Sequence, residues 1–254
     1  MKGFFCGVLV LVVALFGVFG FTGNVFASEG VLEALDLDIE ASGTLDFYSQ
    51  YVWRGFVLDT DPVIQPGFSL SAYGFTLGWW GSMDVDNNDN LASGESDTTI
   101  DYTKEFEDFS MSLGHTYYDF PGSNGYSKEF YVGVGLSNLP LSPAVTYYHD
   151  YGDENNGGGK GNYVVLDLTH SFELIDDPEI SLDLGAHVAY NDELFIVGEG
   201  GDYLLSAGLT VPLTGSLTFA PSVNYAIPYG DVKDLNDGNQ KNRFYAGFSL
   251  GYAF

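Results

Sequence analysis

The chain has 254 residues and a formal net charge of −27, from 8 Lys and Arg against 35 Asp and Glu. So acidic a protein lacks the basic surface that binds nucleic acid, and we expect no nucleic-acid partner. Hydrophobic residues make up 45% and aromatic residues 16% of the chain, which excludes disorder for most of it.

Residues 1–27 predict a secretory signal peptide. Lys2 precedes an apolar stretch, and Val25 and Ala27 place small residues where signal peptidase cuts. The stretch is also long enough for a retained membrane helix, which is the alternative. Cys6 is the only cysteine and lies in this segment, so we expect the mature chain to have no disulfide and no cysteine-bound metal. Residues 28–42 follow as an acidic segment that we expect in the periplasm, as a loose tail, a short helix or a partial plug of the lumen.

Residues 43–254 predict an all-β domain. Apolar and polar residues alternate with a period of two in twelve segments bounded by turn residues, and helical periodicity is almost absent. Each segment has roughly 10 to 12 residues, the length that a tilted strand needs to cross the hydrocarbon layer. The segments lie near residues 43–55, 63–72, 75–85, 97–106, 108–119, 128–137, 142–151, 162–173, 179–190, 202–212, 216–227 and 243–254.

The connections between these strands are expected to alternate in length. Short turns such as Tyr73-Gly74 and Leu213-Thr-Gly215 are followed by long polar loops such as residues 86–90, 153–160 and 231–239. Outer-membrane barrels have short periplasmic turns and longer external loops. The pattern therefore predicts a transmembrane antiparallel up-and-down β-barrel of twelve strands in the outer membrane of a Gram-negative bacterium, with both termini in the periplasm.

Within each predicted strand, one face is apolar and the other is polar or small. Leu45, Phe47 and Tyr51 share the outward face of the first strand, and Phe130 and Val132 share that of the sixth. We expect these faces to meet outer-membrane lipid and lipopolysaccharide. A secreted soluble β-sandwich also alternates, because one face of each sheet packs in a core, so it is the alternative fold.

The last strand ends the chain on an aromatic residue and has a continuous apolar face. This ending resembles the terminal assembly signal of Gram-negative outer-membrane barrels, which implies that the barrel-assembly machinery is a partner. The resemblance assigns the signal to Phe244, Phe248, Tyr252 and Phe254.

The inward face of the predicted wall is acidic. Rings of Asp and Glu favour cations and repel anions, so a pore here is expected to pass cationic or neutral solutes. The alternative is a filled interior, in which carboxylates pair with Arg54 or accept hydrogen bonds from hydroxyl groups. Many inward positions are glycine, which either widens the bore or relieves strain in the curved wall. The predicted pore-lining residues are Asp46, Tyr48, Gln50, Arg54, Asp84, Asp101, Glu129, Asp150, Asp167, Asp183 and His187.

Arg54 is the only basic residue that the alternation puts inside the wall, because Arg243 is placed at or beyond an external strand end. Its guanidinium group is expected to take one of two roles. It either constricts the pore opposite the acidic wall or locks the first strand to carboxylates on neighbouring strands.

A family resemblance rests on motifs near the start of the domain. These are Tyr48-Ser-Gln-Tyr-Val-Trp-Arg-Gly-Phe56, Gln65-Pro66-Gly67 and Gly78-Trp-Trp-Gly-Ser-Met-Asp84. With the terminal Phe, they resemble the TorF-like porin family of proteobacterial outer-membrane proteins, over residues 44–254. The resemblance implies a barrel, an outer-membrane location and a transport role, and it leaves the solute open.

Sequence features for catalysis and metal binding are weak. His149-Asp150 and the inward residues Asp183 and His187 could supply a general base, but no G-x-S-x-G nucleophile motif is present. Asp84-Val-Asp86-Asn-Asn88 begins like a calcium loop and then lacks the glycine and glutamate that complete one. We therefore predict no catalytic residue, no cofactor and no defined metal site, with weak Ca2+ binding at the acidic loops as the alternative to a solvated loop.

Together these features predict a passive outer-membrane channel with an acidic lumen, for small solutes that are cationic or neutral. The alternative is a closed barrel that acts in adhesion or envelope structure through its acidic external loops.

Overall fold

The computed structural model describes residues 39–85, 94–238 and 240–254. The predicted signal peptide, most of the acidic segment 28–42 and residues 86–93 of the calcium-like loop lie outside the described residues. Within the described part, no helix is long and apolar enough to cross a membrane.

Twelve strands close into a single antiparallel barrel, in which the last strand pairs with the first. The predicted fold class is therefore confirmed, and the soluble β-sandwich is wrong. The barrel strands are β1 (Glu40–Tyr48), β4 (Val63–Ala72), β5 (Phe75–Asp84), β6 (Glu95–Glu105), β7 (Ser110–Phe120), β8 (Gly125–Gly135), β9 (Ala144–Asp150), β10 (Gly161–Asp176), β11 (Glu179–Asp192), β12 (Glu199–Pro212), β13 (Leu217–Gly230) and β14 (Arg243–Ala253).

The barrel has two different rims. The start of β1 and the end of β14 lie at one rim, which we call the termini rim, and the other is the loop rim. The predicted alternation of connection lengths has exceptions. At the loop rim, β7 and β8 are joined by residues 121–124 alone, whereas at the termini rim β8 and β9 are joined by the longer segment 136–143.

The first predicted strand, residues 43–55, is wrong in its second half. β1 ends at Tyr48, and the chain then forms a separate hairpin from β2 (Tyr51–Trp53) and β3 (Phe56–Asp59). The turn between them is Arg54-Gly55, with φ angles of 49° and 78°. Two successive positive φ angles are the signature of the type I′ turn, which suits a two-residue hairpin.

A helix, α1 (Asp231–Gly238), joins β13 to β14 at the loop rim, where only a polar loop is predicted. Its buried residue Val232 packs with Phe56 of the hairpin and Ile196 of the β11–β12 loop. The helix was hard to predict from sequence, because only two of its eight residues, Val232 and Leu235, are apolar. Tertiary packing supplies most of the stability of so short a helix.

The outer surface of the barrel is apolar. Leu113, Phe130 and Leu205, on three different strands, are 60%, 50% and 54% exposed. Aromatic residues form contacting pairs at both rims: Phe75 with Tyr102, Phe106 with Phe109 and Tyr252 with Phe254 at the termini rim, and Tyr117 with Tyr126, Phe130 with Tyr151 and Tyr203 with Tyr229 toward the loop rim. An apolar band between two aromatic girdles is the outer surface of a transmembrane barrel.

Candidate functional site

The β2–β3 hairpin lies inside the barrel and reaches across its bore. At one end, the ring of Tyr51 is 5.7 Å from that of Trp80 on β5. At the other end, a Cβ atom on Gly55 would lie 2.7 Å from Cβ of Asp202 on β12. β5 and β12 are on nearly opposite sides of the wall. The expected outward position of Tyr51 is therefore wrong, because the strand that it was assigned to ends before it.

Arg54, at the tip of the hairpin, is held by one carboxylate and three rings. Its two terminal nitrogens donate to the two oxygens of Glu129 on β8, at 2.6 and 2.9 Å. Its guanidinium carbon lies 4.3 to 4.5 Å from the ring centroids of Trp53, Tyr148 and Tyr163. The side chains of Arg54 and Glu129 are only 9% and 1% exposed. This geometry fits the lock, although the lock joins the hairpin, and not β1, to the wall.

An apolar cluster covers the hairpin on the loop-rim side. Phe56, Ile196 and Val232 are buried in it, and Trp53, Phe195 and Leu235 pack against them. We call this cluster the cap. Hydrogen bonds hold the segments that contribute these residues. The Val57 N–H donates to Oε1 of Gln240 at 2.9 Å, and the Asn191 side chain bonds the main-chain N–H and C=O of Leu194.

Several predicted pore-lining carboxylates lie inside the barrel and accept hydrogen bonds from neighbours. Asp150 accepts bonds from the Ser127 hydroxyl and from the N–H of Gly152, so it supports the β9–β10 loop. Asp101 accepts bonds from the hydroxyls of Tyr131 and Thr103. These contacts match the filled interior that was the alternative to a ring of free charges.

Asp183 and His187, considered together as a general-base pair, have different partners. Asp183 accepts bonds from three hydroxyls near the termini rim, those of Ser171, Ser181 and Thr210. His187 lies nearer the loop rim, with Nε2 2.7 Å from Asp202 and Nδ1 3.7 Å from Asp167. Asp202 also accepts a bond from the Tyr163 hydroxyl at 2.9 Å.

The remaining predicted residues line the wall near β1. Asp46 and Tyr48 face inward, opposite Ser249 and Gly247 of β14, and the Tyr48 ring contacts that of Tyr245. Within the described part of the chain, Asp46 Oδ1 and Gln50 Oε1 are buried without a hydrogen-bond partner. Asp84 is buried on the inward face of β5.

Arg243 lies at the loop-rim end of β14, as expected, but the expectation that Arg54 is the only basic residue inside the wall is wrong. Arg243 is opposite Ala226 on β13, one alternation from Tyr245, and therefore faces inward at the loop rim. Its Nε atom is buried with no hydrogen-bond partner among the described residues. The error arises because strand-end residues can be assigned to a loop or to a face with equal ease from sequence alone.

A cavity of about 640 Å³ lies between the hairpin and the wall of β5 to β9. It extends toward the termini rim, as Thr103 and Ser112 are among its lining residues. Its other lining groups are hydroxyls, two carboxylates, Arg54 and aromatic rings; the carboxylates belong to Asp97 and Asp101, and the rings to Tyr51, Trp53, Trp80, Tyr118, Tyr131 and Tyr148. No set of three or more His, Cys, Asp or Glu residues in the described ranges is arranged to hold a metal ion.

Sequence reasoning missed part of this site. Asp97 has the inward parity of Asp101 on the same strand, so the alternation could have found it. Asp202 lies at the edge of a predicted strand. The aromatic residues of the hairpin could have been found only from the Arg54-Gly55 turn, which separates two short β-prone runs.

Solved structures share this architecture. A structure described as KdgM porin has a TM-score of 0.55 and 15% identity, covering 84% of this chain and 99% of that one. A NanC porin structure has a TM-score of 0.53 and 9% identity, covering 84% and 98%. A structure of KdgM porin in complex with disordered oligogalacturonate has a TM-score of 0.53 and 13% identity, covering 85% and 99%. At these identities, the likeness shows the fold.

None of the curated proteins compared with the chain matches it. One family model matches residues 36–237, and its description is that of a bacterial protein of unknown function, Gcw_chp. That description neither includes nor excludes the TorF name, so the TorF resemblance stays a prediction, while the solved structures support a porin-like fold. Because the model covers most of the chain, the protein belongs to the Gcw_chp family of bacterial proteins.

Proposed function

We propose that the protein is an outer-membrane channel of the porin type. The apolar outer wall and the aromatic pairs at both rims are the surface that a barrel presents to lipid and to its two interfaces. The fold shared with KdgM and NanC porins supports the same location. In this proposal the termini rim faces the periplasm, the loop rim faces outward, residues 1–27 are removed on export, and the strand ending at Phe254 carries the assembly signal.

Small cationic or neutral solutes are the proposed cargo. The observation that carries this step is the composition of the cavity wall: Arg54 is paired with Glu129, which leaves Asp97 and Asp101 as the acidic side chains of the lining, with no second basic one. Oligogalacturonate, named for one KdgM structure, is a polyanion, and an acidic interior repels polyanions. We therefore propose a different solute class for this protein.

The hairpin sets the width of the proposed path. It crosses the bore between β5 and β12, so a solute passes beside it or displaces it. A twelve-stranded barrel is intermediate between filled eight-stranded barrels and open sixteen-stranded channels, so an inserted hairpin has a large effect on the free cross-section.

Planar-bilayer recording of the purified barrel tests the proposal. We expect stepwise conductance and, in a salt gradient, a reversal potential of the cation-selective sign. The double variant Asp97→Asn/Asp101→Asn should lose much of that preference, whereas Asp176→Asn, which removes an exposed carboxylate at the termini rim, should keep it. An anion-selective current, or a folded barrel that never conducts, contradicts the proposal.

A second candidate function is a closed barrel with a structural or adhesive role. The cap favours it, because apolar side chains from the hairpin, α1 and the β11–β12 loop pack over the bore. This candidate predicts a folded, heat-modifiable barrel that is silent in bilayers and whose loss from cells changes surface adhesion.

A further inference from the structure

The contacts of Arg54 show how this interior holds a cation. The guanidinium group lies among three aromatic rings and is paired with one buried carboxylate. Aromatic faces attract cations, and the attraction grows when water is excluded. The three rings and the Glu129 carboxylate therefore form a cation site, and the protein's own Arg54 side chain occupies it.

A second group of the same composition lies beside this pair, on the wall of the same cavity. Asp97 is directly opposite Trp80 on one neighbouring strand and Tyr118 on the other. The ring of Tyr51 covers this position from the hairpin, 5.7 Å from Trp80. Oδ1 of Asp97 is buried and has no hydrogen-bond partner among the described residues. We call these four residues, Tyr51, Trp80, Asp97 and Tyr118, the acidic cage.

No basic side chain neutralises the acidic cage in the described structure. The ion pairs made there by Lys and Arg are those of Arg54 with Glu129 and Lys160 with Glu154, and the His187 pairs go to Asp167 and Asp202. The undescribed loop residues 86–93 and Asn239 contain no Lys, Arg or His in the sequence. The Asp97 side chain therefore lines a cavity that can admit a ligand, and its buried Oδ1 lacks a hydrogen-bond donor among the described residues.

We infer that the acidic cage binds the protonated amine of a small primary alkylamine. A primary ammonium group carries a positive charge and donates N–H hydrogen bonds, and it would therefore give Asp97 both a basic partner and a hydrogen-bond donor. The alkyl chain of the amine packs on the rings. An alcohol supplies the donor without the charge, and a quaternary ammonium supplies the charge without the donor. The cavity of about 640 Å³ is in the range of small-molecule sites. The inference rests on the proposed function, since it names the solute class of the acidic interior.

Tryptophan fluorescence can report this binding directly. Trp53 and Trp80 line the cavity, whereas Trp79 lies on the outward face and donates to Ser96. The chain has three tryptophans, so in a Trp79→Phe background the two that remain both line the cavity. Three probes with the same four-carbon chain separate the chemistry: 1,4-diaminobutane, 1,4-butanediol and succinate.

We expect saturable quenching by 1,4-diaminobutane and none by the diol or by succinate at equal concentration and ionic strength. Asp97→Asn should raise the apparent Kd for the diamine at least about tenfold, as for loss of a charged hydrogen-bond partner. Asp176→Asn removes an exposed carboxylate at the termini-rim end of β10 and should leave the Kd unchanged. Tyr51→Leu removes a ring of the cage and keeps its carboxylate, so it should weaken binding even if Asp97→Asn does not fold.

Equal responses to diamine and diol, or equal effects of Asp97→Asn and Asp176→Asn, overturn the inference. The result is independent of the channel test. A cation-selective current without diamine binding supports the proposed channel and contradicts the amine site. Diamine binding by a barrel that does not conduct supports the amine site and contradicts the channel.

Discussion

At the scale of residues, the Arg54–Glu129 pair is expected to dominate the stability of the interior. Arg54→Ala leaves the Glu129 carboxylate buried, with the Tyr118 hydroxyl as a remaining donor. Breaking a buried ion pair on one side costs about 3 to 5 kcal/mol, because the other charge stays desolvated. We expect this loss in the free energy of unfolding, measured by urea titration of the barrel in lipid vesicles. The exposed pair of Lys160 and Glu154 is the control, and Lys160→Ala should cost less than about 1 kcal/mol.

The double variant Arg54→Leu/Glu129→Leu separates charge from packing. It removes both members of the pair, so most of the lost stability should return relative to Arg54→Ala. If Arg54→Ala instead folds with full stability and only its ion selectivity changes, Arg54 constricts the pore and does not lock the hairpin. Sequence alternation put Arg54 and Glu129 on the same side of the wall, but it carries no information on which strands approach across a bore.

At the scale of elements, the strands were predictable and the inserted parts were not. The predicted segment 63–72 coincides with β4, and the later strands agree within a few residues, because lipid outside and polar groups inside impose alternation on every barrel strand. The same alternation continues through the hairpin, so residues 49–55 looked like the end of β1. The cap was missed because its apolar residues come from three separate segments, the hairpin, the β11–β12 loop with Phe195 and α1 with Val232, which meet only in three dimensions.

Removing the hairpin tests its effect on the bore. Tyr48 and Val63 are register partners, so replacing residues 49–62 by Asn-Gly joins β1 to β4 through a two-residue turn. We expect a folded barrel whose single-channel conductance rises at least about twofold, since the crossing element is gone. Heat-modifiable mobility on a detergent gel checks that the variant is folded. An unchanged conductance in a folded variant would mean that the path avoids the hairpin.

At the scale of the whole molecule, inward side chains include more Asp and Glu than Lys and Arg, and the proposed selectivity rests on the summed field of these carboxylates. Such a field is screened by salt, with a Debye length of about 10 Å at 0.1 M and about 3 Å at 1 M ionic strength. Solute size, in contrast, does not depend on salt. The ratio of cation to anion permeability therefore distinguishes an electrostatic filter from a steric one.

We expect the preference for cations to be strong in dilute salt and to fall steadily toward the ratio of bulk mobilities as the salt concentration approaches 1 M. Reversal potentials in fixed tenfold potassium chloride gradients at increasing mean concentration measure it, since the two ions have nearly equal mobilities. The double variant Asp97→Asn/Asp101→Asn should start from a smaller preference and change less with salt. A preference that stays constant across the series would show that the narrow passage beside the hairpin, and not the acidic wall, selects the ions.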